Sequence, residues 1–283
     1  MQFGIHYSPT ADTMNVAELA RASEDLGFES FFLSEHTHIP VNPTESLRQR
    51  GSVPRAHAEG LDPWICLSLV AGVTSRIGLG TAVTLLTQHD PIVLAKMIAT
   101  LDVLSGGRVV VGVGVGSVVD ETRNHGVEPE DRWRVLQERV LAMKQIWTRD
   151  EAEFHGRFVN FDPIYQWPKP LQKPHPPIII GGSGSHVLSR AVAYGDGWMP
   201  TAGTAARPGP NLLERVAELR AMAAEKGRAQ IHVGVSDAEP DPATLQSYQK
   251  AGIERVLLRV PAAGSDEVMP VLRKHSALLK QFA

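Results

Sequence analysis

The residues best suited by type to do chemistry are an acid and a histidine side by side. Glu35 and His36 follow the strand-like run 30–34, "SFFLS". A histidine next to a carboxylate suits proton transfer near neutral pH or contact with a bound cofactor; it suits a solvated loop pair equally well. A second stretch, "IIIGGSGSHVLSRAV" at 178–192, sets Gly181, Gly182, Ser183, Gly184 and Ser185 between an apolar strand pattern and a helical one. Unobstructed backbone N–H groups at a helix N-terminus attract anions, and a phosphate is the natural guest. Ser183 and Ser185 add hydroxyl donors, and either can cap the helix, so the turn reads as an anion site or as a capped turn without a ligand. No Gly-Lys-Ser/Thr follows it, and Val187 stands where a dinucleotide fingerprint needs its third glycine.

Other chemistries are poorly served. The eleven histidines form no His-Glu-x-x-His pattern. His36-Thr37-His38 lies in a proline-bearing loop without an evident third ligand, so no metal is expected. The absence of a Gly-x-Ser-x-Gly elbow speaks against a serine hydrolase. No strand pattern ends in lysine, which speaks against an aldolase-type barrel. Cys66, the single cysteine, sits in an apolar helical pattern and reads as core. The net charge of −3, with no basic patch, argues against nucleic acid and membrane surfaces as partners. The longest apolar run, 109–119, is rich in glycine and too short to span a bilayer. The chain begins at once with strand-like "MQFGIHY" and no signal-peptide pattern, so a cytoplasmic location is expected.

What must hold these residues is an alternation of strands and helices. Strand patterns fall at 3–7, 30–34, 77–83, 109–115, 177–182, 197–201, 231–236 and 255–260, with helical patterns at 14–26, 60–74, 91–104, 131–147, 184–194, 211–226, 241–251 and 265–281. Strict alternation requires a parallel sheet with right-handed crossovers. Eight units predict a (β/α)8 TIM barrel occupying 1–283 as one domain, with a doubly wound sheet as the alternative. The strands are apolar throughout, as expected of strands covered on both faces.

Two long connections interrupt the pattern: 36–59 after the second strand, and 149–176 before the fifth, where "AEFHGRFVNF" has the look of a hairpin. In a barrel the C-terminal strand ends carry function. That places Glu35-His36, the small residues Gly80 to Ala82, the glycines 112, 114 and 116, and the 181–185 turn on one face. The three glycines suit either a crowded barrel interior or a flat ligand. Asp90 before Pro91 reads as a helix N-cap, with His89 on the rim.

The order of these parts resembles the luciferase-like monooxygenase superfamily. "LGFESFFLSEH", "IGLGTAVT…HDP…LAKMIATLDVLSGGRVVVGVGVG", "DRWRVLQERVLAMKQIW" and "KPHPPIIIGGSG…LSRAVAYGDGWMP" carry the likeness across most of 1–202. The resemblance implies a TIM barrel that binds a flavin or the deazaflavin coenzyme F420, with Gly181, Gly182, Ser183, Gly184 and Ser185 on the cofactor's phosphate. It implies catalytic roles for His36 and Glu35, a non-proline cis peptide at Ala82–Val83 behind the ring, and Gly114, Val115 and Gly116 beside the ring or its tail. The spellings "GVGVG…E…HG" and "PPIIIGGSG…A…GDGW" are more similar to the F420-dependent branch. That implies hydride transfer to or from a small organic substrate, with part of the 36–59 loop closing over it. FMN with oxygen and a separate flavin reductase is the alternative, and a non-catalytic flavin-binding protein a third. Homodimers are common in the family and are expected here. Ser117 stands where sugar-phosphate and alcohol dehydrogenases of this branch tend to place a glutamate, and Thr37 to Pro40 lack their tryptophan. The substrate chemistry of those enzymes therefore does not carry over.

Overall fold

A computed structural model describes residues 1–41, 55–202, 211–228 and 230–282. Its elements run β1 (Gln2–Tyr7), α1 (Val16–Asp25), β2 (Ser30–Leu33), α2 (Arg55–Ala58), α3 (Pro63–Val73), β3 (Gly78–Thr81), β4 (Thr84–Leu85), α4 (Pro91–Ser105), β5 (Val109–Gly114), α5 (Val119–Asn124) and α6 (Arg132–Thr148). Then come β6 (Glu151–His155), β7 (Asn160–Tyr165), β8 (Ile178–Gly181), α7 (Val187–Tyr194), β9 (Gly197–Met199), α8 (Leu212–Glu225), β10 (His232–Val235), α9 (Pro242–Lys250), β11 (Arg255–Arg259) and α10 (Ser265–Leu279).

The barrel closes through parallel pairs in the order β1-β2-β3-β5-β8-β9-β10-β11 and back to β1. Each predicted strand takes one stave. The third is split, because the Ala82–Val83 peptide is cis and parts β3 from β4, which re-pairs with β5 through Thr84↔Val113 and Leu85↔Gly114. The hairpin expected before the fifth stave is the antiparallel pair β6–β7.

Side-chain period fixes what faces inward. On β2, Phe31 and Leu33 join the large core beneath the helices, while Phe32 joins Val110, Ile179, Met199 and Leu257 in a separate cluster inside the barrel. The lumen is narrowed by close backbone approach. A Cβ on Gly112 would stand 2.0 Å from the Thr81 carbonyl oxygen, and one on Gly80 2.3 Å from the Phe32 ring. The glycines that read as either crowding or ligand contact thus serve crowding at 112.

Helix starts follow sequence logic. Asp62, Asp90 and Asp241 each cap a helix whose first residue is proline, and Asn15 caps α1. One start differs from expectation. The helix read as 184–194 begins at Val187, its N-cap is His186, and no side chain caps it. Gly182 at φ +110° turns the chain before the helix, so neither Ser183 nor Ser185 reaches the cap position. Two short helices, α2 and α5, fall where the sequence showed no helical period. Among the described residues no helix is long and apolar enough to cross a membrane, and Cys66 is a buried free thiol.

Candidate active site

All eight staves end around a cavity of about 360 Å³. Its wall includes His6 from β1, Ser34, Glu35 and His36 after β2, Ala82 and Val83 at the break, Gly114, Val115 and Gly116 of β5 and beyond, and Gly181 and Gly182 after β8. Leu85, Ser117, Met199, Thr201, Ser236, Asp237 and Arg259 line it too, with Trp133 from α6 and His57 from α2. A larger cavity, about 810 Å³, lies at the opposite end of the barrel. Two of its arginines are committed to structure: Arg255 pairs with Glu29 at 2.8 Å, and Arg108 donates to the carbonyls of Ala71, Thr74, Ile77 and Ser105. The residues singled out in the sequence gather at the smaller cavity.

Glu35 and His36 leave the strand together but part at once. The Glu35 carboxylate is buried and accepts from the Leu85 N–H, while its other oxygen lies 2.9 Å from His89 Nε2. It therefore braces β4 just beyond the cis peptide. The fully buried hydroxyls of Thr81 and Thr84 finish the brace, Thr84 donating to Thr81 at 3.0 Å and Thr81 to the Gly112 carbonyl at 2.9 Å. The solvated-pair reading of Glu35-His36 is corrected for Glu35: burial with two partners rules it out. His89, read as a rim residue, is the partner of this carboxylate.

His36 has a carboxylate of its own. Its Nδ1 stands 2.9 Å from Glu121 Oε2, and the other Glu121 oxygen accepts the Thr37 N–H at 3.0 Å. Glu121 comes from α5 and is fully buried. Burial pushes its carboxyl up, but the hydrogen bond and charge of His36 outweigh that and hold it below the ordinary glutamate range. An ionised carboxylate only accepts, so neutral His36 carries its proton on Nδ1 and turns a bare Nε2 outward. Among the described residues that Nε2 has no partner. The ring of His57 lies over His36 with centroids 4.5 Å apart. Burial first, then the charge of His36, lowers the His57 pKa to about 4.

The floor of the cavity is the Ala82–Val83 peptide. Val83 settles against β5 and β8 because two residues there have no side chain: a Cβ on Gly114 would lie 2.5 Å from Val83 Cγ2, and one on Gly181 2.7 Å from Val83 Cγ1. Gly116 holds a left-handed conformation at φ +74°. Beyond Gly181 the turn is open. Gly182 to His186 are exposed, and a Cβ at Gly184 would meet nothing within 4 Å. The turn is held from behind, since Arg215 donates to the carbonyls of Ser183 and Gly184 and Trp198 Nε1 to that of Gly182. Those bonds occupy carbonyls and leave the N–H groups of residues 183–186 without partners among the described residues. Trp133, with the Arg190 guanidinium stacked on it at 4.1 Å, stands beside this turn.

These residues fit a flat ring with an anionic tail. A smooth floor at Ala82–Val83, apolar Leu85 and Val115 at its margin, and free N–H groups past the rim are what such a molecule requires. Among the described residues no group of three His, Cys, Asp or Glu side chains could hold a metal ion. Most of the 36–59 loop, residues 42–54, lies outside the described residues, and with it the expected closure.

Sequence reasoning passed over His6, Ser34, Asp237 and Arg259, which share the cavity. Glu121 did stand inside a quoted motif, "GVGVG…E…HG", with no role attached.

Residues 1–238 match the family model of the luciferase-like monooxygenases. The chain belongs to that family. An uncharacterized protein of Mycobacterium tuberculosis is 38% identical over 283 residues, covering 99% of both chains. An F420-dependent glucose-6-phosphate dehydrogenase of Kineococcus radiotolerans is 32% identical over 193 residues, 66% of this chain and 52% of its own. An FMNH(2)-dependent dimethylsulfone monooxygenase of Pseudomonas putida is 38% identical over 150 residues, 52% of this chain and 40% of its own. The crystal structure of the monooxygenase RslO1 from Streptomyces bottropensis superposes with a TM-score of 0.80 at 22% identity and full coverage of both chains. The family's relatives thus include both F420-dependent dehydrogenases and flavin-dependent monooxygenases, and this chain is a luciferase-like oxidoreductase.

Proposed function

We propose that this enzyme transfers a hydride between coenzyme F420 and a small organic substrate. The observation that carries the reading is His36, paired with Glu121, sharing a cavity with Ala82–Val83 and with the start of an open glycine turn. F420 rather than FMN is supported by the F420-dependent relative, which is similar over two thirds of this chain, and by the spelling of the β5 and β8 motifs. When bound, the deazaflavin supplies a carbon that gives or takes a hydride.

The chain's own residues do the rest. The N–H groups of Ser183, Gly184 and Ser185 hold the phosphate, and Gly182 lets the chain turn without a side chain in the way. Ala82, Val83, Val115 and Gly116 seat the ring, with Gly114 and Gly181 making room for Val83. His36 Nε2 takes a proton from the site or returns one, and Glu121 fixes its tautomer and steadies the imidazolium. Glu35 is a positioning residue, acting through β4 on the floor.

The FMN-dependent relative from Pseudomonas putida favours a second reading, oxygen chemistry with reduced FMN from a separate reductase. An oxygen electrode separates the two. Hydride transfer with F420 predicts bleaching of F420 on addition of an alcohol from a test panel, with no oxygen uptake. Oxygen consumed in the presence of reduced FMN, with no change in F420, overturns it.

A further inference from the structure

The cavity holds a second proton-handling group, separate from His36. His6 Nδ1 lies 2.6 Å from Asp237 Oδ1, and His6 Nε2 lies 2.7 Å from Ser34 Oγ. Arg259 clamps the same carboxylate through Nε to Oδ1 and Nη2 to Oδ2, both at 3.0 Å. These residues come from the ends of β1, β2, β10 and β11, and all of them line the cavity. Asp237 stands at φ +54°, a left-handed conformation that side chains other than those of Asn and Asp seldom adopt. Its backbone is held there by the side chain's two partners.

The hydrogens can be placed. Burial pushes the Asp237 carboxyl up, but His6 and Arg259 outweigh it and hold it well below the usual range. A carboxylate accepts, so His6 donates from Nδ1 and offers a lone pair at Nε2, which takes the Ser34 O–H. Ser8 Oγ, 3.0 Å from Ser34 Oγ, can donate to one Ser34 lone pair and leave the other toward the cavity. The result is carboxylate, imidazole and hydroxyl in sequence, each polarising the next.

We propose that Ser34, His6 and Asp237 form a proton relay for the substrate's oxygen, and that the substrate presents a neutral hydroxyl or carbonyl to Ser34 Oγ. The inference rests on the hydride-transfer reading above. In the oxidative direction the substrate O–H bond breaks and its proton goes to Ser34 Oγ as the Ser34 proton passes to His6 Nε2. The electron pair of that bond forms the C=O bond as the C–H bond breaks, its hydride being what a bound deazaflavin would take up. Asp237 stabilises the imidazolium left on His6; reduction runs the same path backward.

The charges of the described lining favour an uncharged group at Ser34. Among the described lining residues, Arg259 is consumed by Asp237, and Glu35 is taken up by His89 and the Leu85 N–H. No cation there is left over for a substrate carboxylate or phosphate. His36 stays committed to the ring end of the cavity through Glu121.

Two measurements on the full chain test this. The first needs no cofactor: histidine labelled with ¹³C is followed by NMR, the His6 ring signal being assigned with His6→Gln. Cyclohexanol should shift that signal saturably in the wild type and in Ser34→Thr, and not in Ser34→Ala; cyclohexanecarboxylate should leave it in place. The second is turnover of F420 with cyclohexanol. Ser34→Ala should lower kcat about 100-fold, the scale of a lost general base, with F420 affinity unchanged, and Ser34→Thr should keep most of the wild-type rate. An alcohol that leaves the His6 signal unmoved, a shift that survives in Ser34→Ala, or a carboxylate that shifts it equally overturns the relay. Wild-type protein that fails to bind F420 overturns the hydride-transfer reading instead, and the NMR result then judges the relay alone.

Discussion

His36 Nδ1 and Glu121 Oε2 stand 2.9 Å apart across 85 residues of sequence, with the glutamate fully buried and the histidine at the cavity wall. A buried carboxylate beside one ring nitrogen decides which face of the imidazole is basic. Glu121→Gln replaces an acceptor with a group that can also donate, and so permits the opposite tautomer. Turnover is expected to fall by about 10²–10⁴, the range seen when a general base loses its function or its orienting acid, while cofactor affinity stays within a few-fold. Steady-state kinetics beside a cofactor titration checks this; unchanged kcat would remove Glu121 from the mechanism.

The glycine turn gives a charge test free of backbone strain. Gly182 is unsuitable, because at φ +110° any side chain is strained. Gly184 has no such φ and faces open space. Gly184→Asp is expected to raise the cofactor Kd at least tenfold, about 1.4 kcal/mol, through repulsion of the phosphate, with Tm unchanged. Equal affinity in the folded variant would make the turn a scaffold only.

Two of the groups whose folded pKa values are depressed, His57 and Asp237, each contribute to acid stability in a window of their own. His57 titrates at about 4 in the folded chain against roughly 6.5 when unfolded. Between those values the unfolded chain binds the proton and the folded chain does not, so stability falls as pH drops through that window. Asp237 is depressed below the usual aspartate range, so its contribution is present above about pH 3.9 and lost as pH falls further. Thermal melts from pH 7 to pH 3 should show His57→Gln flattening the upper part of the decline and Asp237→Asn the lower part. The other lowered groups, His125, His175, His275, Glu24, Glu121 and Asp241, act in every variant, so the differences between variants carry the result. Slopes identical to wild type would contradict it.

Gly112 tests the packing beneath the site. Its missing Cβ would press on the Thr81 backbone carbonyl at 2.0 Å, which has no rotamer to escape into. Gly112→Ala is expected to cost about 3 kcal/mol or more, the upper end for overpacking, read from chemical denaturation. Gly184→Ala, in open space, serves as the control.

The staves were legible because buried parallel strands and amphipathic helices leave strong periods, and Asp-Pro pairs mark helix starts. The turn at 181–185 was legible because small residues between a strand and a helix have few uses. Glu121 was not: α5 has only six residues, too short to show a period. The relay was less visible still, since His6 meets Asp237 across 231 residues and only barrel closure joins them. A motif search finds serine chemistry by a local elbow, and here serine, histidine and aspartate sit on three separate stave ends. The misplaced start of α7 has a local cause: the serines in the turn look like caps, and the conformation of Gly182 is not written in its neighbours.

F420 dependence is decided by titrating the purified protein with F420 and, separately, with FMN, following cofactor fluorescence. Saturable micromolar binding of F420, weak binding of FMN and at least tenfold weaker F420 binding in Gly184→Asp are expected. Preference for FMN would contradict the claim and assign the cavity to oxygen chemistry.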